Sequence, residues 1–257
     1  LKDDTVQCWG SNGNGQLGNG TIVGTFPSPA GVPGIDDAIT VTAGFSHTCA
    51  SLKSGAVRCW GINSEGQVGA GVIYPRTGSP VDVNGTATAI EAGYNHNCVV
   101  LPSGRVACWG GNQFGQTGQP PPAVTTVVPV IVFGLTDVVD LGLGLDHGCA
   151  VLASGLARCW GRNNDAQLGV GSLEPVQTSQ PLNVFGLSTA ARISAGVKHT
   201  CAVLTDGTVQ CWGRNEFGQV AYTGGTGITV GFPVTVPGIT TAVDVSVGAE
   251  HSCALLS

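Results

Sequence analysis

The residues of this chain with the greatest chemical potential are its histidines and cysteines. They recur in two short motifs, His-x-Cys and Cys-Trp-Gly, which together contain all five His, all ten Cys and all five Trp of the 257 residues. Imidazole and thiolate groups at short spacing can bind zinc, and two opposed thiols can instead form a disulfide. The His-x-Cys copies lie at His47/Cys49, His96/Cys98, His147/Cys149, His199/Cys201 and His251/Cys253.

The second motif shows that the chain is a repeat array. Successive Trp residues are 51, 49, 51 and 52 positions apart, which is the length of one supersecondary unit. Because one repeat phase runs through the sequence, we expect a single domain over residues 1–257. The Cys-Trp-Gly copies begin at Cys8, Cys59, Cys108, Cys159 and Cys211.

Each His-x-Cys copy, except the last, leads into the next Cys-Trp-Gly copy through a short alternating run around a turn such as Ser54-Gly55. This pattern predicts a β-hairpin in which two Cys, ten positions apart, face each other across the strands. Their spacing matches no short zinc motif and lacks a fourth ligand, so we expect disulfides and no metal or cofactor. The predicted pairs are Cys49–Cys59, Cys98–Cys108, Cys149–Cys159 and Cys201–Cys211.

Cys8 and Cys253 remain after this pairing. Aligned on the repeat, Leu1 corresponds to Leu204 and Ser257 to Thr205, so the chain spans nearly a whole number of repeats. We therefore predict that the first and last strands pair and that a Cys8–Cys253 disulfide closes a ring, since closure hides edge strands.

The rest of each repeat predicts two further strands. Phe232 to Ile239 and Ala242 to Gly248 show the pattern in one copy, and no stretch has a helical period. Four short strands per repeat of about 51 residues are typical of a propeller blade. The expected fold is all-β, a single five-bladed β-propeller with four-stranded blades, closed by its terminal strands.

Composition limits the setting and the partners. A net charge of −6 offers no basic surface for nucleic acid, and no apolar run is long enough to span a membrane. Ten paired Cys favour an oxidising, extracellular location, and the lack of any Met or signal peptide suggests a processed, mature segment. The sequons at Asn19 and Asn84 are possible glycosylation sites.

The full repeat, Gly-x-x-His-x-Cys-Ala-x-Leu-x-x-Gly-x-Val-x-Cys-Trp-Gly-x-Asn-x-x-Gly-Gln-x-Gly, resembles the RCC1 repeat of the regulator of chromosome condensation. The resemblance covers the chain and is clearest at residues 43–69 and 195–218. It implies a propeller with blades of about 50 residues. Two departures are that the best-known members have seven blades and that Cys replaces residues that are usually apolar. Members include a nuclear exchange factor for a small GTPase and secreted β-lactamase inhibitors.

The positions that vary between repeats are the candidates for function. They lie just before each His and in the loop after each Trp, and such loops on a rigid scaffold commonly bind proteins. An alternative for Phe114 and Phe217 is packing beneath their own loops. The candidate partner-binding residues are Phe45, Tyr94, Asn95, Asp146, Lys198, Glu250, Phe114 and Phe217.

The sequence contains no Ser-His-acid set, localised carboxylate pair or phosphate loop, so we expect no catalytic residues and no enzyme. The leading hypothesis is a secreted scaffold that binds another protein through one loop-rich face. An alternative is a structural subunit of an extracellular filament, sheath or surface layer, formed by self-assembly. A lectin-like carbohydrate binder is a weaker alternative, because the aromatic residues outside the repeated motif do not recur.

Overall fold

A computed structural model describes residues 3–224 and 229–257. Its described residues form twenty β-strands in six antiparallel sheets, and none of them forms a helix that could span a membrane. The strands are β1 (Gln7–Ser11), β2 (Thr25–Gly31), β3 (Ala38–Ala43), β4 (His47–Leu52), β5 (Val57–Ile62), β6 (Arg76–Val83), β7 (Ala89–Ala92), β8 (His96–Val100), β9 (Val106–Gly111), β10 (Thr125–Ile131), β11 (Val138–Leu143), β12 (His147–Leu152), β13 (Ala157–Arg162), β14 (Gln177–Asn183), β15 (Ala190–Ala195), β16 (His199–Leu204), β17 (Val209–Arg214), β18 (Thr229–Thr235), β19 (Ala242–Val247) and β20 (Ser252–Leu256).

Four of the six sheets are complete four-stranded blades. They contain β3–β6, β7–β10, β11–β14 and β15–β18, with neighbouring strands in chain order. The two remaining sheets have two strands each, β1 with β2 and β19 with β20. The predicted all-β architecture with four-stranded blades is therefore confirmed.

The predicted hairpins form the centre of every complete blade. In the first, β4 pairs with β5 so that Cys49 lies opposite Cys59, and Gly55 adopts a positive φ of 83° in the connecting turn. The opposed Cys of all four hairpins have Cα atoms 4.1 Å apart and form the four predicted disulfides, Cys49–Cys59, Cys98–Cys108, Cys149–Cys159 and Cys201–Cys211.

The hydrophobic core lies between successive blades. Trp60 is fully buried, and its indole nitrogen donates a hydrogen bond to the carbonyl of Gln16 in the preceding unit, at 2.9 Å. Gly18 lies against that ring, where an added Cβ would be 2.6 Å from the indole nitrogen. The same indole-to-carbonyl bond recurs from Trp109 to Gln67, Trp160 to Gln116 and Trp212 to Gln167.

The predicted ring closure is absent from the structure. Strands β1 and β20 belong to separate sheets, Cys8 and Cys253 are free thiols, and Trp9 is 63% exposed. A local physical reason lies at position 221. The interior interfaces have Gly18, Gly69 and Gly169 against an indole, whereas Ala221 places a Cβ in the space that Trp9 would need. The structure therefore does not confirm the predicted closed five-bladed ring, and it does not contain the predicted Cys8–Cys253 bridge.

The loop after each Trp has a fixed shape. Asn63 Oδ1 accepts the backbone N–H of Val68, and Gln67 Oε1 accepts that of Glu65, both at 2.9 Å. Equivalent Asn and Gln residues make these bonds in the other repeats, which satisfies backbone groups that a loop would otherwise bury unpaired. These rigid loops carry the variable residues between the Asn and the Gln.

Candidate functional site

The two variable sets lie on the same face of the arc. His47 is opposite Gly61 in the central hairpin, so the residues before each His and the loop after each Trp occupy the same end of the blade. This end is opposite the Ser54-Gly55 turn. We call this end of the molecule the loop face.

Contacts between blades bring the two sets together. Asn95 Nδ2 donates to Glu65 Oε1 at 3.1 Å, and Lys198 Nζ forms an ion pair with Asp165 at 3.2 Å. In each case the loop of one blade is tied to the residue before the His of the next blade. These half-buried pairs fix the positions of polar groups on the loop face.

Phe45 and Tyr94 form a stacked aromatic pair on the loop face. Their ring centroids are 4.1 Å apart with an interplanar angle of 18°, and Phe45 is 65% exposed. Their backbones are also joined, since Phe45 N–H donates to the carbonyl of Tyr94 at 3.2 Å. Tyr94 N–H in turn donates to Gly144, so the pair is held rigidly on two adjacent blades.

The aromatic pair borders the mouth of a central channel of about 620 Å³. The inner strand of each complete blade and β19 line this channel, with Glu91, Asp140, Asp244 and Arg192 among the lining residues. Burial and the nearby Asp140 raise the pKa of Glu91 to about 7. Burial also raises the pKa of Asp140, although its carboxylate accepts the N–H of Ile193 at 2.7 Å.

The candidates Phe114 and Phe217 have different environments. Phe114 is half-buried, and the guanidinium carbon of Arg162 lies 4.6 Å from its ring centroid in a cation–π contact. Arg162 also pairs with Asp146 at 3.3 Å. Phe114 therefore packs between blades, whereas Phe217, at 59% exposure, remains on the surface beside the exposed Glu250.

Four of the five repeated histidines, His47, His96, His147 and His199, are buried, whereas His251 is exposed. His47 Nε2 is 2.9 Å from Asn97 Oδ1 of the next blade, and His147 and His199 make the same contact with Thr200 and Ser252. Burial lowers the pKa of His47 to about 4 and that of His147 to about 3. Across residues 3–224 and 229–257, no three His, Cys, Asp or Glu side chains come together as a metal site.

One exposed aromatic set was missed by the sequence reasoning. Phe133 and Phe185 are 73% and 64% exposed, and they follow strands that end beside the hairpin turns, opposite the loop face. Both occupy the middle position of a repeated Val-x-Gly segment, which is Pro33 and Pro237 in two other repeats. This variation between repeats could have identified the position from the sequence. We call this end of the molecule the turn face.

The two sequons differ in accessibility. Asn19 is half-buried, and its side-chain oxygen accepts hydrogen bonds from Thr21 N, Thr21 Oγ1 and Asn12 Nδ2. Asn84 is exposed in a turn before Gly85, which has a φ of 110°. Of the two, Asn84 offers the more accessible amide for modification.

These features define a disulfide-linked, propeller-like repeat protein with a rigid loop face. The RCC1 repeat of the regulator of chromosome condensation matches residues 3–51, 155–203 and 206–255 in one form. A second form of the same repeat matches residues 38–67, 87–116, 138–167 and 190–219. The chain therefore belongs to the RCC1 repeat family.

Two curated relatives illustrate the breadth of the family. The human probable E3 ubiquitin-protein ligase HERC6 is 30% identical over 84% of this chain and 17% of its own length. The ultraviolet-B receptor UVR8 of Arabidopsis thaliana is 28% identical over 86% of this chain and 40% of its own length. The chain thus spans less than half the length of either relative.

Solved structures share the fold at lower sequence identity. Human WBSCR16 superposes with a TM-score of 0.85 at 23% identity, covering 99% of this chain and 68% of that one. Prp20p of Saccharomyces cerevisiae gives a TM-score of 0.84 at 21% identity, covering 100% of this chain and 66% of that one. At these identities the similarity establishes the fold alone.

Proposed function

We propose that this protein is an extracellular, non-enzymatic scaffold that binds another protein through its loop face. The observation that carries the proposal is the stack of the exposed Phe45 on the half-buried Tyr94 at the channel mouth. Aromatic side chains held rigidly on a surface lose little conformational entropy on binding and often dominate interface energies.

The surroundings of the stack support a protein partner. The same face carries the Asn95–Glu65 hydrogen bond and the Lys198–Asp165 ion pair. An apolar centre with a polar rim is the usual composition of a protein interface. A family relative, yeast RCC1 (Prp20), has been crystallised bound to Kap60, so this fold can present a surface to a protein.

The extracellular location is supported by the four disulfides. Their sulfur atoms belong to buried Cys residues in every complete blade. Disulfides persist in oxidising compartments and are rare where glutathione keeps thiols reduced. Single-chain protein recovered from the medium with all four bridges would support secretion, and reduced protein confined to the cytosol would contradict it.

The binding face is tested by capture from the extracellular medium of the source organism. The double variant F45A/Y94A should lose the captured protein, because it removes the exposed aromatic centre while leaving the buried core intact. The matched control is F133A/F185A, which removes two exposed aromatics from the turn face and should capture normally. Equal capture by both double variants would refute the proposal.

A structural role in an extracellular assembly is the second candidate. The exposure of Trp9, Leu255 and Leu256 in the terminal sheets favours it, because large apolar side chains at sheet edges promote association. Light scattering over a range of concentrations tests this role, and a constant monomer mass would contradict it. For carbohydrate binding, we expect no signal on a glycan array.

A further inference from the structure

Four Asn-Gly pairs give this chain a reactive side-chain amide beside an unobstructed backbone nitrogen. In such a pair the Gly nitrogen can attack the side-chain carbonyl carbon of the Asn, since Gly has no Cβ to hinder the approach. The attack requires an accessible amide and a Gly N–H that is free of other partners. The four pairs are Asn12-Gly13, Asn14-Gly15, Asn19-Gly20 and Asn84-Gly85.

The amide of Asn12 is protected by burial. Its side chain is fully buried, its Nδ2 donates to Thr21 Oγ1 at 2.9 Å, and its Oδ1 accepts the N–H of Leu17 at 3.0 Å. An attack on this amide would break both hydrogen bonds inside the protein, which is costly. We therefore expect Asn12 to stay unmodified in the folded chain.

The next two pairs are protected at the attacking nitrogen. Gly15 N–H donates to the carbonyl of Asn12 at 3.0 Å, and Gly20 N–H donates to the carbonyl of Gly78 in the next blade at 2.9 Å. The amide oxygen of Asn19 is held as well, by three hydrogen bonds. Attack at either pair therefore requires the loop to open locally first.

Asn84-Gly85 has neither kind of protection. Both residues are exposed in the turn that follows β6, on the turn face. Within residues 3–224 and 229–257, neither the side chain of Asn84 nor the N–H of Gly85 has a hydrogen-bond partner. An added Cβ at Gly85 would have no atom within 4 Å, so the backbone of this turn is open to solvent and free to rearrange.

We propose that Asn84 is a site of spontaneous deamidation. The Gly85 nitrogen loses its proton to water and attacks Cγ of Asn84, the Cγ–Nδ2 bond breaks, and ammonia leaves with one proton taken back from water. The product is a cyclic succinimide. Water then opens the ring at either carbonyl, which gives an aspartyl or an isoaspartyl residue with a new carboxylate. The net reaction consumes one water and releases one ammonia, and nothing is oxidised or reduced.

The reaction has two consequences at the turn face. The new carboxylate lies two residues from Asp82, which already pairs with Arg58 at 2.7 Å, so the local negative charge rises. The sequon at Asn84 is also lost, because an aspartyl or isoaspartyl residue has no amide nitrogen to carry a glycan. The loop face lies at the opposite end of the blades, so this proposal is independent of the proposed binding function.

Peptide mass spectrometry of the full chain tests the site. The folded protein is incubated in mildly alkaline buffer made with H₂¹⁸O, because ring opening then places ¹⁸O in the product and marks conversion that precedes digestion. Asn84 should gain the label as a mixture of aspartyl and isoaspartyl products, whereas Asn12, Asn14 and Asn19 should not. A second sample, reduced and dissolved in guanidinium chloride, should convert all four at similar rates, since no fold protects them. The proposal is overturned if Asn84 gains label no faster than Asn14 or Asn19 in the folded protein, or if its preference persists in guanidinium chloride.

Two variants separate this route from enzymatic removal of a glycan, which also leaves Asp at a sequon. T86A keeps the Asn-Gly pair and removes the sequon, so it should convert at the unaltered rate. N84Q should lose the label at this position, because its longer side chain must close a larger ring. Loss of conversion in T86A, or conversion of N84Q at the unaltered rate, would contradict spontaneous deamidation through the succinimide.

Discussion

The indole nitrogen of Trp109 donates a hydrogen bond at 2.9 Å to the backbone carbonyl of Gln67, which lies 42 residues earlier in the preceding blade. The ring also covers Gly69, where an added Cβ would be 2.7 Å from the indole nitrogen. The most conspicuous motif of the sequence thus joins one blade to the next. Its buried Trp rings position the loops that carry the candidate site.

The first prediction concerns the unequal roles of two Trp residues. Replacing Trp109 with Ala should lower the free energy of unfolding by about 3–5 kcal/mol, because a fully buried ring and its hydrogen bond are lost. Replacing Trp9 with Ala in dilute solution should change it by less than about 1 kcal/mol, because that ring is exposed. Urea denaturation followed by near-UV circular dichroism measures both. Similar losses would contradict the assignment.

The second prediction concerns the third complete blade, in which the large side chain of Leu143 lies beside the small residue Gly148. His96 Nε2 has no hydrogen-bond partner in the described part of the chain, because Gly148 stands where the other blades have Asn97, Thr200 or Ser252. A Cβ at Gly148 would be 2.7 Å from the ring of Trp160 and 3.1 Å from Leu143.

We therefore expect G148T and L143A each to destabilise the protein, by about 1–3 and 2–5 kcal/mol respectively. The double variant L143A/G148T should lose less than the sum, because the Thr fills the space and reaches His96. A double-mutant cycle measured by urea denaturation tests this. If the losses in the free energy of unfolding were strictly additive, the Thr side chain would not be filling the space left by Leu143.

The third prediction is a loss of stability in mild acid. Burial lowers the pKa of His47 and His199 to about 4 and that of His96 and His147 to about 3, against 6.5 for an exposed His. Below pH 6.5 the unfolded chain therefore binds protons that the folded chain does not. The stability from these four residues is complete above pH 6.5 and is lost as the pH falls toward 3.

Urea midpoints at pH 7.5, 5.5 and 4.5 measure this dependence. The variant H147N should show a shallower decline with falling pH than the unaltered protein, since it has one fewer buried His. An unchanged pH dependence in H147N would indicate that this His does not titrate on unfolding.

The fourth prediction has the opposite sign and concerns the channel. The pKa of Glu91 is about 7 in the folded protein against 4.5 for an exposed Glu, because burial and Asp140 disfavour its charge. Its contribution to stability is complete below pH 4.5 and is lost as the pH rises through 7. The free energy of unfolding of E91Q should therefore exceed that of the unaltered protein by more at pH 8.5 than at pH 4.5. The control N84Q, at an exposed position without a titratable side chain, should show no such dependence.

The repeat spacing predicted much of the fold. The opposed positions of Cys149 and Cys159 follow from a symmetric hairpin, and the structure has them at that register. Ring closure was not predictable in the same way. Closure requires Trp9 to pack as Trp60 packs against Gln16 and Gly18, and a count of repeats does not show whether the last interface has room for that ring.

The candidate site was predicted in part. Comparison of the repeats identified Phe45 and Tyr94, but their stacking depends on the close approach of two blades, 49 residues apart in sequence. The burial of Phe114 by Arg162 has the same origin. Phe133 and Phe185 were missed because a Phe next to a strand usually packs in the core, and the repeat pattern does not show that this position points to solvent.

The most direct test of the proposed binding face is site-specific photo-cross-linking to the captured partner. A photoreactive phenylalanine replaces Phe45 in one protein and Phe133 in another, since both positions are exposed and lie on opposite faces. The protein labelled at position 45 should cross-link to the partner, and the protein labelled at position 133 should not. Cross-linking at position 133 with none at position 45 would contradict the assignment of the loop face.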